Sequence, residues 1–410
     1  MTTSFSGLWM KSMKRLTKAP RAKGRQLVKS AVKKTVRSFF DTAFGVKKPA
    51  LAPSASRRTS VAKAMAVPAV HTHKPSLAMA SQRAGTESLP AGATWKKAYF
   101  SLPATAGTSL VQRMAYWLYI PANTASAAAQ STPIPLVVVL HGCKQTATDI
   151  ATATRMNAWA ERKGFAVLYP HQSARAGSNR CWPWYQRSVQ SGEGDAAMVA
   201  QMIAHVQKRH HFDSRRTYAA GLSAGAALAM ILALRHPRLI AAVGLHSAPV
   251  FATSDSALSA YRLMQHGAPL EYSAAIRRFL AEQTDFPGMP VMVIHGEADA
   301  VVRRVNAQEL VQQFLLVNAN KLGGVEPKRH WHAGSSAGAT LRLAHHTDTW
   351  YAKRKPYVVS CTVNGLGHAW SGGDPATAFS EPCGPNASRL LWQFFQHHQR
   401  DPGQGTAPVA

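Results

Sequence analysis

The stretch "RRTYAAGLSAGAALAMILALRHP" (215–237) holds a serine between two glycines, where β-favouring residues give way to a helix-forming run. Gly221-x-Ser223-x-Gly225 between a strand and a helix is the pattern of a nucleophile elbow, a turn too tight for side chains at its flanks. Ser223 would be held there in a strained conformation with its hydroxyl presented, beside the free N–H groups and positive dipole end of the following helix. A serine hydroxyl is a weak nucleophile by itself. It needs a base, and the base needs a third group to orient it.

Both partners have candidates later in the chain, in the order serine, acid, histidine expected of an elbow on a parallel sheet. "PVMVIHGEADAVV" ends a strand and offers Asp299; "YVVSCTVNGLGHAWSGG" ends the last strand and offers His368 in a glycine-rich loop. Glu297 stands two residues before Asp299 and is a rival acid, with His295 beside it. Asp299 is preferred because it lies further out on the loop, ahead of Val301 and Val302, which can pin it. His368 is chosen from 18 histidines by its position after the last strand. A tetrahedral intermediate also needs N–H donors. Ala224, after the nucleophile, is one candidate, and Cys143 in "PLVVVLHGCKQT", acting through its backbone, is the other.

"NRCWPWY" (179–185) concentrates aromatic area, so Trp182, Trp184 and Tyr185 are candidates to seal the core and wall a substrate pocket, with Trp370 beside the histidine loop. Cys361 and Cys383 flank that loop and are a candidate disulfide. The pairs His71/His73 and His330/His332 have no acidic or cysteine ligands near them, so no metal site is read, and the chemistry calls for no cofactor.

These residues need a scaffold. Apolar runs at 114–120, 135–140, 165–170, 217–220, 239–247, 290–296 and 357–363 read as strands. Helical patterns fall near 149–163, 195–209, 224–236, 256–266, 304–318 and 387–398. Continuous apolar strands alternating with helices predict an α/β domain over 95–400, its mostly parallel central sheet covered on both faces.

The charge is placed elsewhere. The chain of 410 residues carries a net charge of +29, and residues 1–95 hold 18 Lys/Arg against only Asp41 and Glu87. In 1–48, "RQLVKSAVKKTVRSFF" sets apolar residues at three- to four-residue spacing with lysines between them, which predicts a basic amphipathic helix. Residues 49–94 are rich in Ala, Pro and Ser and read as a flexible linker, and 401–410 as a disordered tail. Such a basic segment suits a polymer-granule or anionic membrane surface. It carries no base-reading motif, so sequence-specific nucleic-acid binding is not expected. No apolar run reaches the length of a membrane span, and no secretory leader is evident before Arg37.

"LHGCKQT", "YPHQ", "CWPWY", "FDSRRTYAAGLSAG", "HGEADAVV" and "GLGHAWSGG", in this order, resemble the polyhydroxybutyrate-depolymerase-like esterases, over about 130–395. These are α/β-hydrolases related to feruloyl and acetylxylan esterases. The resemblance implies a triad of Ser223, Asp299 and His368, with Cys143 in the oxyanion hole, and an oxyanion motif that precedes the serine as in the type 1 arrangement. It implies hydrolysis of short-chain hydroxyalkanoate or related acyl esters, the ester being the partner. Feruloyl- or acetylxylan-type hydrolysis, or surface binding on a hydrolase scaffold, are the alternatives. It also implies an extracellular location; the unseen leader makes a cytoplasmic, granule-associated one the alternative.

Overall fold

A computed structural model describes residues 89–401, apart from 103–111, 123–131, 175–177, 252–253, 270, 324–325 and 336–340. The expected helix within 1–48, the linker up to residue 88 and the tail from 402 lie outside the described residues. In chain order the elements are β1 (Thr94–Leu102), β2 (Gln112–Ile120), β3 (Leu136–Leu140), α1 (Ala147–Thr154), α2 (Met156–Lys163), β4 (Ala166–His171), α3 (Arg187–Gln190), α4 (Asp195–His210), β5 (Thr217–Leu222), α5 (Ala224–Arg235), β6 (Ala242–His246) and α6 (Ala257–His266). They continue with α7 (Ser273–Glu282), β7 (Val291–Gly296), α8 (Val305–Val317), β8 (Lys328–His332), β9 (His345–Ala352), β10 (Lys355–Val363), β11 (Trp370–Ser371), β12 (Ser380–Glu381) and α9 (Ala387–Phe395).

Ten strands form one sheet in the order β1-β2-β4-β3-β5-β6-β7-β10-β9-β8. The stretch from β4 to β10 is parallel throughout, and the pairs at either edge are antiparallel. Period-two alternation sends Leu136, Val138 and Leu140 of β3 to the core on one face and Val137 and Val139 to the core on the other. In β7 Val291 and Val293 take the first face, Met292 and Ile294 the second. All eleven residues from Ala224 to Leu234 of α5 are buried, so this helix is apolar all round and inside the protein up to its last residue, Arg235. Each large aliphatic side chain enclosed this way contributes about 1.5–3 kcal/mol.

Parallel strands point their carboxyl ends the same way, so the segments following β3, β4, β5, β6, β7 and β10 gather along one edge of the sheet. Every strand read from the sequence is present. The helix expected over 149–163 is two helices, because Arg155 adopts a left-handed conformation (φ 50°) between them. β1, β8, β9 and α7 had no expectation. β8 ("KRHWH") is exposed along its whole length and carries no apolar alternation to reveal it.

Candidate active site

Ser223 sits between β5 and α5 with φ 57° and ψ −121°, a conformation that costs about 1–3 kcal/mol and must be held by its surroundings. The glycines make that hold possible. A Cβ on Gly221 would lie 2.5 Å from the backbone carbon of Gly225, and one on Gly225 would collide with the carbonyl oxygens of Leu140 and His141. The elbow is thus packed backbone to backbone against the turn that follows β3. The Ser223 N–H donates to the His246 carbonyl at 2.9 Å, and its side chain makes no capping bond to α5.

The turn after β3 is held from several sides. Trp182 donates its indole N–H to the His141 carbonyl at 2.9 Å, and Lys144 (φ 65°) donates its N–H to Asn179 at 2.6 Å. Gln145 accepts the Gly142 N–H at 2.9 Å. His141 accepts the Gln172 N–H on Nε2 at 3.1 Å, which leaves its proton on Nδ1, facing the Gly142 carbonyl at 2.8 Å. Burial is the main reason that this ring titrates low, at about 4, so it stays neutral. None of these bonds uses the N–H of Cys143. Ala224 begins α5, so its N–H has no partner inside the helix.

A disulfide joins Cys143 to Cys181, with their Cα atoms 4.3 Å apart. The expected Cys361–Cys383 bridge does not form; both thiols are free. The reason is strand geometry. Cys361 points from β10 into the core, where burial pushes its thiol up to about 12, while Cys383 belongs to the segment between β12 and α9 and donates its N–H to Glu381. The thiol of Cys143, which an oxyanion role through the backbone does not need, ties the turn after β3 to the "NRCWPWY" loop.

Asp299 follows β7 and is enclosed. Its Oδ2 accepts from His368 Nδ1 at 2.8 Å, while Oδ1 accepts the N–H groups of Val301 and Val302, both at 2.9 Å. His295 Nε2 lies 3.7 Å from Oδ2 and reaches the Val302 carbonyl at 2.8 Å. Burial alone would raise this carboxyl; the charge and hydrogen bond of His368, then His295 and the Val302 N–H, outweigh it and hold the group below the ordinary range. The rival Glu297 turns to solvent, with 48% of its side chain exposed, and pairs with Arg304 at 3.3 Å.

His368 lies in the loop after β10, the neighbour of β7. The two loops are joined by backbone: Glu297 and Ala298 donate to Val363 and Leu366, and a Cβ on Gly296 would strike the Leu366 carbonyl. Trp370 is fully buried beyond the loop, stacked on His246 and bonded to Ser388. Trp182 and Trp184 are buried as well, as are Ser223 and Asp299, and of the four aromatics expected at the pocket only Tyr185 is partly exposed. A cleft of about 1460 Å³, lined by Lys208, Arg235, Arg238 and Arg400, opens instead near the amino ends of the strands, away from Ser223.

The family model described as Esterase PHB depolymerase matches residues 114–329. The chain belongs to this family. Among curated relatives, the poly(3-hydroxyalkanoate) depolymerase C of Paucimonas lemoignei is 28% identical over 63% of this chain and 59% of its own length. Acetylxylan esterase A of Emericella nidulans is 28% identical over 48% of this chain and 66% of its own. The chain thus spans less than two-thirds of the length of either curated relative. The acetyl xylan esterase structure from Aspergillus awamori superposes with a TM-score of 0.53 at 18% identity, covering 73% of this chain and 99% of that one. The fold is the α/β-hydrolase fold. Beside the site residues read from the sequence, the structure sets His141, Gln145 and His246, to which that reading assigned no role of their own, each buried at a strand end or the turn after it. Only "HG" before Cys143 and "LHS" at 245–247 marked two of them, and neither pattern has chemistry by itself.

Proposed function

We propose that the chain hydrolyses carboxylic esters through an acyl-enzyme on Ser223, with His368 as base and Asp299 as its orienting acid. The hydrogen bond between Asp299 and His368, on the same sheet edge as the strained serine, carries this reading. With Nδ1–H committed to Asp299, Nε2 of His368 is the nitrogen that takes the Ser223 proton as the hydroxyl attacks the ester carbonyl. The oxyanion is held by the Cys143 and Ala224 amides. His368 then protonates the departing alcohol, and water repeats the path: His368 takes its proton, hydroxide attacks the acyl carbonyl, and Ser223 leaves with the proton returned.

The disulfide bears on the oxyanion hole through Cys143. Cys181→Ser is expected to lower kcat by up to about 10²-fold, the lower range for losing an oxyanion donor, with a smaller change in KM. Ester kinetics with and without a reductant check it, since wild type under reduction should approach the variant.

For substrate, both named relatives point to esters of small alkanoic acids, a polyhydroxyalkanoate in one case and acetylated xylan in the other. We favour short-chain hydroxyalkanoate esters, with 95–400 as the esterase unit and the basic segment 1–48 as its attachment to a granule or anionic membrane surface. A series of p-nitrophenyl esters from acetate to octanoate, run beside amorphous polyhydroxybutyrate and acetylated xylan, tests this. Turnover of the short esters with polymer clearing supports it. Acetate release from xylan without clearing would move the assignment to acetylxylan-type hydrolysis, and no turnover of any ester would overturn it.

A further inference from the structure

His246 is the last residue of β6, and its strand register sets it beside Leu222 of β5 on one side and Ile294 of β7 on the other. It therefore stands between the strand that delivers Ser223 and the strand that delivers Asp299. Its carbonyl accepts the Ser223 N–H at 2.9 Å. Its ring reaches the third partner: Nε2 accepts the Ser371 N–H at 3.1 Å, three residues beyond His368, and the imidazole stacks on Trp370 with centroids 5.1 Å apart. One residue thus touches the backbone of the nucleophile and the anchor of the histidine loop.

That loop needs an anchor. Residues 364–373 include Gly365, Gly367, Gly372 and Gly373, with Gly365 and Gly372 at positive φ. Ordering such a run costs about 1–2 kcal/mol per residue, and more at glycine. On its near side the loop is held by Asp299 through His368 itself. On its far side the loop ends in β11, paired with β12 and bonded through the Ser371 hydroxyl to the Pro385 carbonyl; of the contacts there, the one from Ser371 N–H to His246 ties this end to the strand beside Ser223 and Asp299.

We propose that His246 is a positioning residue for His368, holding the loop through the Ser371 N–H so that the imidazole meets the Ser223 hydroxyl. The proposal rests on the reading of Ser223, Asp299 and His368 given above. The acceptor role requires a neutral ring with its proton on Nδ1, where Ser247 Oγ lies 3.2 Å away. The surroundings keep it neutral: burial first, then the neighbouring His295 and His368, hold it down at about 3 against the opposing pull of Asp299.

The test compares His246→Phe, His246→Gln and His246→Asn with wild type and Ser223→Ala, using a soluble short-chain ester. Phenylalanine keeps the stacking surface and removes the acceptor. Glutamine places an amide oxygen near the position of Nε2, whereas asparagine is too short to reach Ser371. The expected result is a kcat loss of about 10² for Phe and Asn, the scale of a small misplacement of a reacting group, with KM nearly unchanged. Gln should recover most of the rate. The ascending limb of kcat/KM against pH should move in Phe and return in Gln, which a packing defect that only lowers Tm would not produce. Wild-type kcat in Phe, or equal losses in Gln and Asn, would overturn the proposal. If Phe fails to fold, Gln against Asn makes the same comparison. Ser223→Ala separates the two readings: full activity there would sink the site assignment itself, while an inactive Ser223→Ala beside an unaffected Phe variant would sink only the role of His246.

Discussion

Alanine at position 223 is expected to lower kcat for ester hydrolysis by about 10⁶-fold, the order found when the nucleophile of a serine triad is removed. The residual rate would come from the oxyanion donors and substrate binding. KM should change little, because the hydroxyl gains its main interaction only as its oxygen bonds to the carbonyl carbon. The fold should also survive. The Ser223 side chain makes no capping bond to α5, and what holds the elbow is the N–H bond to His246 and the backbone packing of Gly221 and Gly225, none of which alanine removes. Steady-state kinetics with a thermal melt check this. An unchanged kcat in folded protein would remove the nucleophile.

Asp299→Asn is the second large effect, about 10⁴-fold in kcat. The argument is specific to the contacts of this carboxylate. Two backbone N–H groups, from Val301 and Val302, donate to Oδ1, so the asparagine oxygen is held at that position. Its NH₂ group is then left facing His368 Nδ1, where Oδ2 now accepts. Two donors cannot share that contact. The ring must move its proton to Nε2, the nitrogen that has to receive the serine proton. Glu297→Gln provides the contrast, because that carboxylate faces solvent beside Arg304, and its replacement should leave kcat close to wild type. The pH dependence follows from the same surroundings. The carboxyl of Asp299 is held below its ordinary value in the folded chain. Its contribution to stability is therefore complete above the pKa of the unfolded carboxylate and is lost as pH falls through the lowered folded value. Acid melts of wild type and Asp299→Asn should converge in that range and diverge at neutral pH.

Much of the scaffold was legible because its signals are local. The interior strands are continuous apolar runs, and a strand buried on both faces has little else to be. The elbow was legible for a similar reason, since its two glycines are demanded by contacts within a few residues and with one neighbouring turn. The edge strand β8 was not, because an exposed edge imposes no apolar alternation, and "KRHWH" reads like any loop. The choice between Asp299 and Glu297 depended on which side chain turns inward, a matter of the loop's path that spacing does not encode. The disulfide was misread for a related reason. Cys361 and Cys383 bracket the histidine loop in sequence, yet pairing follows which strand face each residue occupies, and Cys361 faces the core. His246 was invisible for the deepest reason: its role lies in bridging segments that are more than a hundred residues apart.

The most direct test of the central claim is to react the protein with a small alkyl fluorophosphonate, then read the intact mass and map the modified peptide. The account predicts a single adduct, on Ser223, formed in step with the loss of esterase activity and absent in Ser223→Ala. Hydrolysis that continues after Ser223 is fully modified, or inactivation with the adduct on another residue, would contradict it.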